Sequence, residues 1–291
     1  MIQLGFNIVL MAMKLLLISL SFSVIYYPTK FFHLAHAVII TAAAYFVFLF
    51  SRQLDMSLWF SIPLGVLCTT AIGLFCEICL YKPLRKRSSS PMILMIASLG
   101  LYTVLQNVIS ITWGDNTQSI RIGEIKIGHE FLGAYITTIQ VITIVVCLLS
   151  FIATLLFLKY HKIGRDIRAV ASNSELSNIV GVNSDRTILW AFGIGSALAA
   201  IVGLLIAFDV NMTPTMGFNW LLYGIVAMII SGVGSNWGLI GGALLLATSQ
   251  HLVAYYIGSQ WMDAIAYIIL ILFLVWRPLG FSGKRLKKVE I

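Results

Sequence analysis

The sequence predicts an all-α polytopic membrane protein, a bundle of about eight to ten transmembrane helices that includes broken or re-entrant segments, in one domain over residues 1–291. Three observations carry this expectation. Hydrophobic residues make up 59% of the chain and charged residues only 10%, a balance foreign to soluble domains. Uncharged runs such as Ala134–Leu158 (25 residues) and Thr187–Phe208 (22 residues) can each cross a hydrocarbon core of about 30 Å as a helix. Fourteen of the nineteen Lys and Arg residues fall in three short segments beside apolar runs, at 82–90, 159–186 and 277–288. Basic excess in short loops marks the cytoplasmic side. It also explains the net charge of +8 without a groove-lining basic patch, so the expected partner is the lipid bilayer and not nucleic acid.

The first run, from Met1 to Tyr27, has Lys14 in mid-stretch and no small-residue cleavage site. It reads as a first membrane helix and not a removable leader. Lys14 either reaches an interface or faces protein. Pro28-Thr29-Lys30 breaks the run, and His33 and His36 precede the apolar stretch Val38–Phe50. A neutral His36 at a helix start is the expectation. Residues 51–57 form a short loop, and Met56–Cys76 the next span, with Glu77 near its inner end beside Lys82 and Arg85. Glu77 is expected to pair with that basic loop. Cys76 and Cys79 are formally a CxxC, but they sit in a membrane helix and read as small apolar residues.

Pro91–Trp113 crosses outward and carries Gly100, Gln106 and Asn107. In Gly114–Gly133 the alternation of Ile120, Ile122, Ile125 and Ile127 predicts a small exterior hairpin. The polar interruption at 159–186 follows the next span. Its Ser172-Asn173-Ser174-Glu175 fits a capping box that starts a short helix with Leu176, Ile179 and Val180 apolar. Gly181 suits the left-handed position that ends it, and Gly164 a sharp turn into a preceding segment, Arg165–Ala171. Two short helices on the inner face would make a docking surface.

After the span Thr187–Phe208, Asp209–Met216 returns outside. Gly217–Ile230 then runs into a glycine-rich stretch containing Gly232, Gly234 and Gly238. Backbone broken at membrane depth survives only where protein buries it or it lines a cavity; a plain inner loop is the alternative. Leu239–Ile257 and Trp261–Trp276 complete nine apolar stretches, two of them candidate half-spans, before a basic tail at 277–291. Helix parity, and with it the side of the N-terminus, stays open.

No phosphate-binding loop, nucleophile–base pair or HExxH motif occurs, and the five histidines are scattered. The chain is therefore expected to be neither an enzyme nor a cofactor carrier. An ion-coupled secondary transporter would need buried carboxylates in several spans, where only Lys14 and Glu77 stand out; a membrane enzyme or anchor is the third class.

The motifs of the central segment narrow this choice. G-R-x-x-R-A, A-x-N-x-E-L and G-V-N-x-D-R, spread over some twenty residues from Gly164, resemble the cytoplasmic coupling segment of branched-chain amino acid ABC-importer permeases of the LivH type. Glu77…Tyr81-Lys82-Pro83-Leu84-Arg85, Ser98-Leu99-Gly100-Leu101-Tyr102 and the Ser231–Gly242 glycine pattern are similar to further motifs of that family, although His33 and Ala37 depart from its I-N-F-A-H-G stretch. The resemblance implies a permease in the bacterial cytoplasmic (inner) membrane, with loop 159–186 and the C-terminus cytoplasmic. It implies a second permease subunit (LivM-like, or a homodimer), two ATPase subunits that bind the ATP, and an extracytoplasmic solute-binding protein. It carries an ATPase-coupling role onto Gly164, Arg165, Arg168, Ala169, Asn173, Glu175, Gly181 and Asn183. The implied substrates are leucine, isoleucine and valine, with urea, short amides and other amino acids as the alternatives. For the path, Gln106 and Asn107 are expected to face the bend at Gly232, Gly234 and Gly238.

Overall fold

The computed structural model describes residues 1–121, 128–131, 133–232, 234–235, 237–277 and 279–281. Among the described residues eight helices are long and apolar enough to cross a membrane: α1 (Ile2–Thr29), α2 (His36–Gln53), α3 (Leu58–Lys86), α4 (Pro91–Trp113), α5 (Thr138–Tyr160), α8 (Ser184–Asp209), α10 (Gly238–Tyr256) and α11 (Ser259–Trp276). Two short helices, α6 (Lys162–Ser172) and α7 (Ser174–Ile179), lie between α5 and α8. A ninth apolar helix, α9 (Met216–Ser231), has 16 residues, about 24 Å of rise and so shorter than the hydrocarbon core. It still runs from the loop after Met212 to Ile230 at the opposite end, so it is a short crossing where the glycine pattern had made a half-span a candidate. Gly232 and Gly234 take φ of 85° and 98° at its end, a conformation glycine adopts without strain.

The spans divide into an inner and an outer set. α1, α2 and α8 are 67% or more buried over their apolar windows, whereas α3, α4, α5 and α11 are 28% or less. α1 packs on α8, α9, α10 and α5, while α2 packs on α8, α3 and α9. Lipid tails are as apolar as leucine, so close backbone approach has to hold such helices together. At Gly203 of α8 an added Cβ would stand 2.0 Å from the Ile40 carbonyl oxygen, and at Gly217 of α9 2.0 Å from that of Ala37. α2 is thus clamped between two glycine contacts.

Side-chain and backbone contacts sort the loops to two ends. At one end Gln3 bonds both the N–H and the carbonyl oxygen of Tyr135, Gln118 pairs with Met212, and Arg52 donates to the Arg121 carbonyl oxygen. At the other, Lys82 and Arg85 meet Asp185, and Phe281 N–H donates to the Ile230 carbonyl oxygen. Nine crossings place the first helix's start and the last helix's end on opposite sides. Ten described basic residues gather at the second end (Lys82, Arg85, Lys86, Arg87, Lys159, Lys162, Arg165, Arg168, Arg186 and Arg277). Arg52 and Arg121 mark the first.

Two local expectations are corrected, and a third is met only in part. A hairpin pairs β1 (His129–Phe131) with β2 (Ala134–Ile136) and has Gly133 at φ 80°, beside the isoleucine alternation that suggested one. Ile122, Ile125 and Ile127 lie outside the described residues, as do Lys284, Arg285, Lys287 and Lys288 of the tail. Residues 51–53, expected to open the 51–57 loop, are helical and extend α2. Finally α3 runs unbroken from Leu58 through a π-helical turn at Glu77–Tyr81 to Lys86. It carries buried Cys76 and exposed Cys79 as free thiols.

Candidate functional site

The polar interruption is a rigid double elbow. α6 is amphipathic: Gly164, Ile167 and Val170 face inward while Arg165 and Arg168 are exposed. Gly164 does not make the expected turn. It lies in the first turn of α6, where a Cβ would come 2.4 Å from the Phe157 carbonyl oxygen and 2.5 Å from Leu158 Cα. Its role is to let α6 fold back against the end of α5. α6 also packs on α1 and α8, which ties it to the core.

The expected Ser172 capping box is replaced by an asparagine cap. Ser172 is the last residue of α6, and Asn173 Oδ1 accepts from the Leu176 N–H at 2.9 Å. Asparagine is as good a cap as serine, and the one-residue shift arises because α6 runs on to Ser172. Asn183 Oδ1 accepts from the Arg186 N–H at 2.9 Å and starts α8 in the same way. Asn178 accepts from both the N–H and hydroxyl of Ser184, at 3.0 and 2.8 Å. Gly181 takes φ 90° just past the end of α7, in the left-handed position expected of it.

α7 therefore stands on three asparagine contacts and turns its apolar residues outward. Leu176, Ile179 and Val180 are 58, 80 and 70% exposed, with exposed Glu175 beside them. The residues singled out in sequence thus divide. Gly164, Asn173, Gly181 and Asn183 shape the elbow, Arg165, Arg168 and Glu175 are exposed on it, and Ala169 is half-buried between α6 residues.

A charged strut joins this elbow to α3. Arg85 makes two hydrogen bonds to the buried carboxylate of Glu77, one of 3.0 Å. Asp185, in the first turn of α8, lies 3.9 Å from Arg85 and 3.7 Å from Lys82. Glu77 thus pairs with the basic loop as expected. Asp185 as the third member is a contact that only folding reveals.

A second buried polar cluster gathers residues from three separated stretches. His33 Nδ1 lies 3.0 Å from the Tyr81 hydroxyl and 3.5 Å from Ser98 Oγ, which accepts from the Ala35 N–H at 2.9 Å. His36, first residue of α2, sits 3.0 Å from Ser21 Oγ through Nε2. Tyr81 and Ser98 belong to two motifs noted in the sequence, and both turn out to brace the break between α1 and α2.

The amides and the glycine bend are not brought together. Gln106 bonds Ser110, and Asn107 bonds the Thr103 carbonyl oxygen, all within α4 and nearer its Trp113 end. Gly232 packs beside Gly280, and Gly234 shares a cleft with Lys159 and Arg168 at the opposite end. Within one chain the two elements do not face each other.

What sequence reading missed is Asp209. It pairs with Lys14 at the far end of α8, both nearly buried, with the Lys14 ammonium 5.6 Å above the Trp220 ring. Asp209 reads as an exterior loop residue in one dimension; α8 simply runs through it.

Residues 4–274 match the family model described as branched-chain amino acid transport system, permease component. The chain is 29% identical to the high-affinity branched-chain amino acid transport system permease protein LivH of Escherichia coli (strain K12), over 97% of this chain and 96% of that one. It is 28% identical to permease protein BraD of Pseudomonas aeruginosa, covering 92 and 91%. Among solved structures, PsaBC from Streptococcus pneumoniae in complex with Fab shares the fold at TM-score 0.51 and 13% identity, covering 95% of this chain and 92% of that one.

Proposed function

The chain belongs to the branched-chain amino acid transport permease family, and from that premise we propose that it is the membrane subunit of an ATP-driven, binding-protein-dependent importer for leucine, isoleucine and valine. The observation that carries the mechanism is the elbow. A short helix with three exposed apolar residues, welded through α6 to α1, α5 and α8, is the form of a lever that a soluble partner can push. Leu176, Ile179 and Val180 would enter an apolar cleft on an ATPase subunit, with Arg165, Arg168 and Glu175 setting its polar rim. Gly164, Ala169, Asn173, Gly181 and Asn183 would hold the lever rigid. Closure of two ATPases would then reach α8 directly, and α3 through the Asp185–Arg85–Glu77 strut.

The charge distribution supports a cytoplasmic elbow and C-terminus and an exterior N-terminus. An ion-coupled mechanism is not favoured, because Glu77 and Asp209, the carboxylates buried within the spans, are each held by a cation. α4 is only 17% buried, yet exposes Asn107 at membrane depth. We assign that face to the route between this chain and a second permease subunit, LivM-like or identical. Gln106 and Asn107 would line the route towards the exterior, and Gly232 and Gly238 towards the cytoplasm, while Gly234 opens on a separate cleft beside α5.

The test is leucine uptake and ATP hydrolysis by the reconstituted assembly with its binding protein. Glu175→Lys and Ile179→Asp should lose coupled uptake while the permease stays folded and inserted, and Gly164→Val should lose it by prising α6 off the end of α5, where its Cβ would lie 2.4 Å from backbone. Asn107→Leu should slow uptake without uncoupling hydrolysis. Normal uptake in all the elbow variants would refute the lever, and transport of urea but not leucine would refute the substrate.

A further inference from the structure

One cavity lies at the root of the elbow, sharing Arg168 with it but away from α7 and the amide pair. It is a cleft of about 760 Å³ between α1, α5 and the start of α10, closed at one end by α6. Its wall is apolar, formed mainly by α5 residues including Leu148, Ile152 and Leu156. At the elbow end stand two cations, Lys159 and Arg168, with Trp237 beside them. Among the described residues no acidic one lines the cleft. Among the described residues neither cation has an ion-pair partner, and Arg168 donates to the Lys159 carbonyl oxygen at 3.3 Å. Both are exposed, as is Trp237 at 76%.

We propose that this cleft is a binding site for one anionic phospholipid, with the phosphodiester held by Lys159 and Arg168 and an acyl chain laid along α5. Three features select that ligand. From Leu148 to Lys159 the helix rises about 16 Å, close to the hydrocarbon depth of a single leaflet, half of about 30 Å. The charged groups are confined to one end, with Ser235 beside them, and both are positive, so a headgroup of net negative charge fits and a zwitterionic one leaves its ammonium facing cations. Trp237 stands where aromatic rings occupy the headgroup level. The volume is within the range of about 300–1,000 Å³ usual for ligand sites. A lipid so placed touches the junction of α5 and α6, so it would stiffen the root of the lever. Naming the cytoplasmic leaflet rests on the orientation proposed above; the binding itself does not.

The experiment measures lipid retained by the purified full chain, by native mass spectrometry, after exchange into detergent with phosphatidylglycerol or phosphatidylcholine. One phosphatidylglycerol should survive delipidation, while phosphatidylcholine is lost. Each cation near an anionic headgroup changes affinity about fivefold, so Lys159→Gln with Arg168→Gln should weaken retention by roughly tenfold or more. Ile152→Trp, which fills the trough and leaves both cations in place, should also release the lipid. Equal retention of the two lipids, or undiminished phosphatidylglycerol in the double variant, overturns the site. So does a disulfide from Ile152→Cys to a co-purifying permease subunit, which would put a partner helix in the cleft. Retention is read without transport, so its failure and failure of the importer reading are separable.

Discussion

Substituting Lys14 by methionine should destabilise the permease far more than deleting both members of its ion pair. The Lys14 and Asp209 side chains are only 5 and 13% exposed, and Asp209 has no other side-chain partner among the described residues. Lys14→Met therefore strands a buried carboxylate, which costs about 3–5 kcal/mol. With roughly 2.1 cal/mol/K of unfolding entropy per residue, 291 residues give about 0.6 kcal/mol/K, so the midpoint should fall by about 5–8 °C. Lys14→Met combined with Asp209→Leu removes both charges at similar volume. It should sit within roughly 1–2 °C of wild type, the residual being the lost contact with the Trp220 ring. The assay is thermal unfolding of the purified chain in detergent, run as a double-mutant cycle. Additive losses would refute the pairing, and an unchanged midpoint in Lys14→Met would refute the burial.

Three further outcomes are expected. Asn173→Ala should cost about 1 kcal/mol, seen as faster amide exchange over 174–179 with the global midpoint unmoved; loss of the whole fold would contradict a locally capped α7. Gly203→Val should abolish assembly, because its Cβ would lie 2.0 Å from backbone of α2, whereas Gly100→Val, with open space around it, should fold normally. In a background without the four native cysteines, Asn116→Cys should react with an impermeant thiol reagent in intact cells. Ser88→Cys and Ser174→Cys should react only after lysis; the reverse pattern would invert the orientation.

Much of the fold was legible in one dimension because the bilayer imposes a simple rule: a helix of sufficient length, apolar throughout, with charge only at its ends. Runs such as Thr187–Phe208 obey it wherever they pack. The short helix Met216–Ser231 was legible too as an apolar run, and the glycines after it have a backbone reason to be there. Site geometry was harder. The cap on α7 shifted from Ser172 to Asn173 because α6 extends one residue further than its apolar pattern. Gly164 looked like a turn and is a packing glycine; the two uses are identical in sequence and differ only in what lies opposite.

Residue order was enough for the membrane class, the nine apolar stretches, the basic end and the polar elbow between α5 and α8. These depend on solvent and on local hydrogen bonding, and both act residue by residue along the chain. Tertiary structure alone decided that Lys14 meets Asp209, that Asp185 closes the Glu77–Arg85 strut, and that His33, Tyr81 and Ser98 share one cluster. It also decided that Gln106 and Gly232 lie at opposite ends. Those partners are far apart in the chain, and a charge or hydroxyl in an apolar run records only that it must be satisfied. Which distant residue satisfies it is settled when the helices pack.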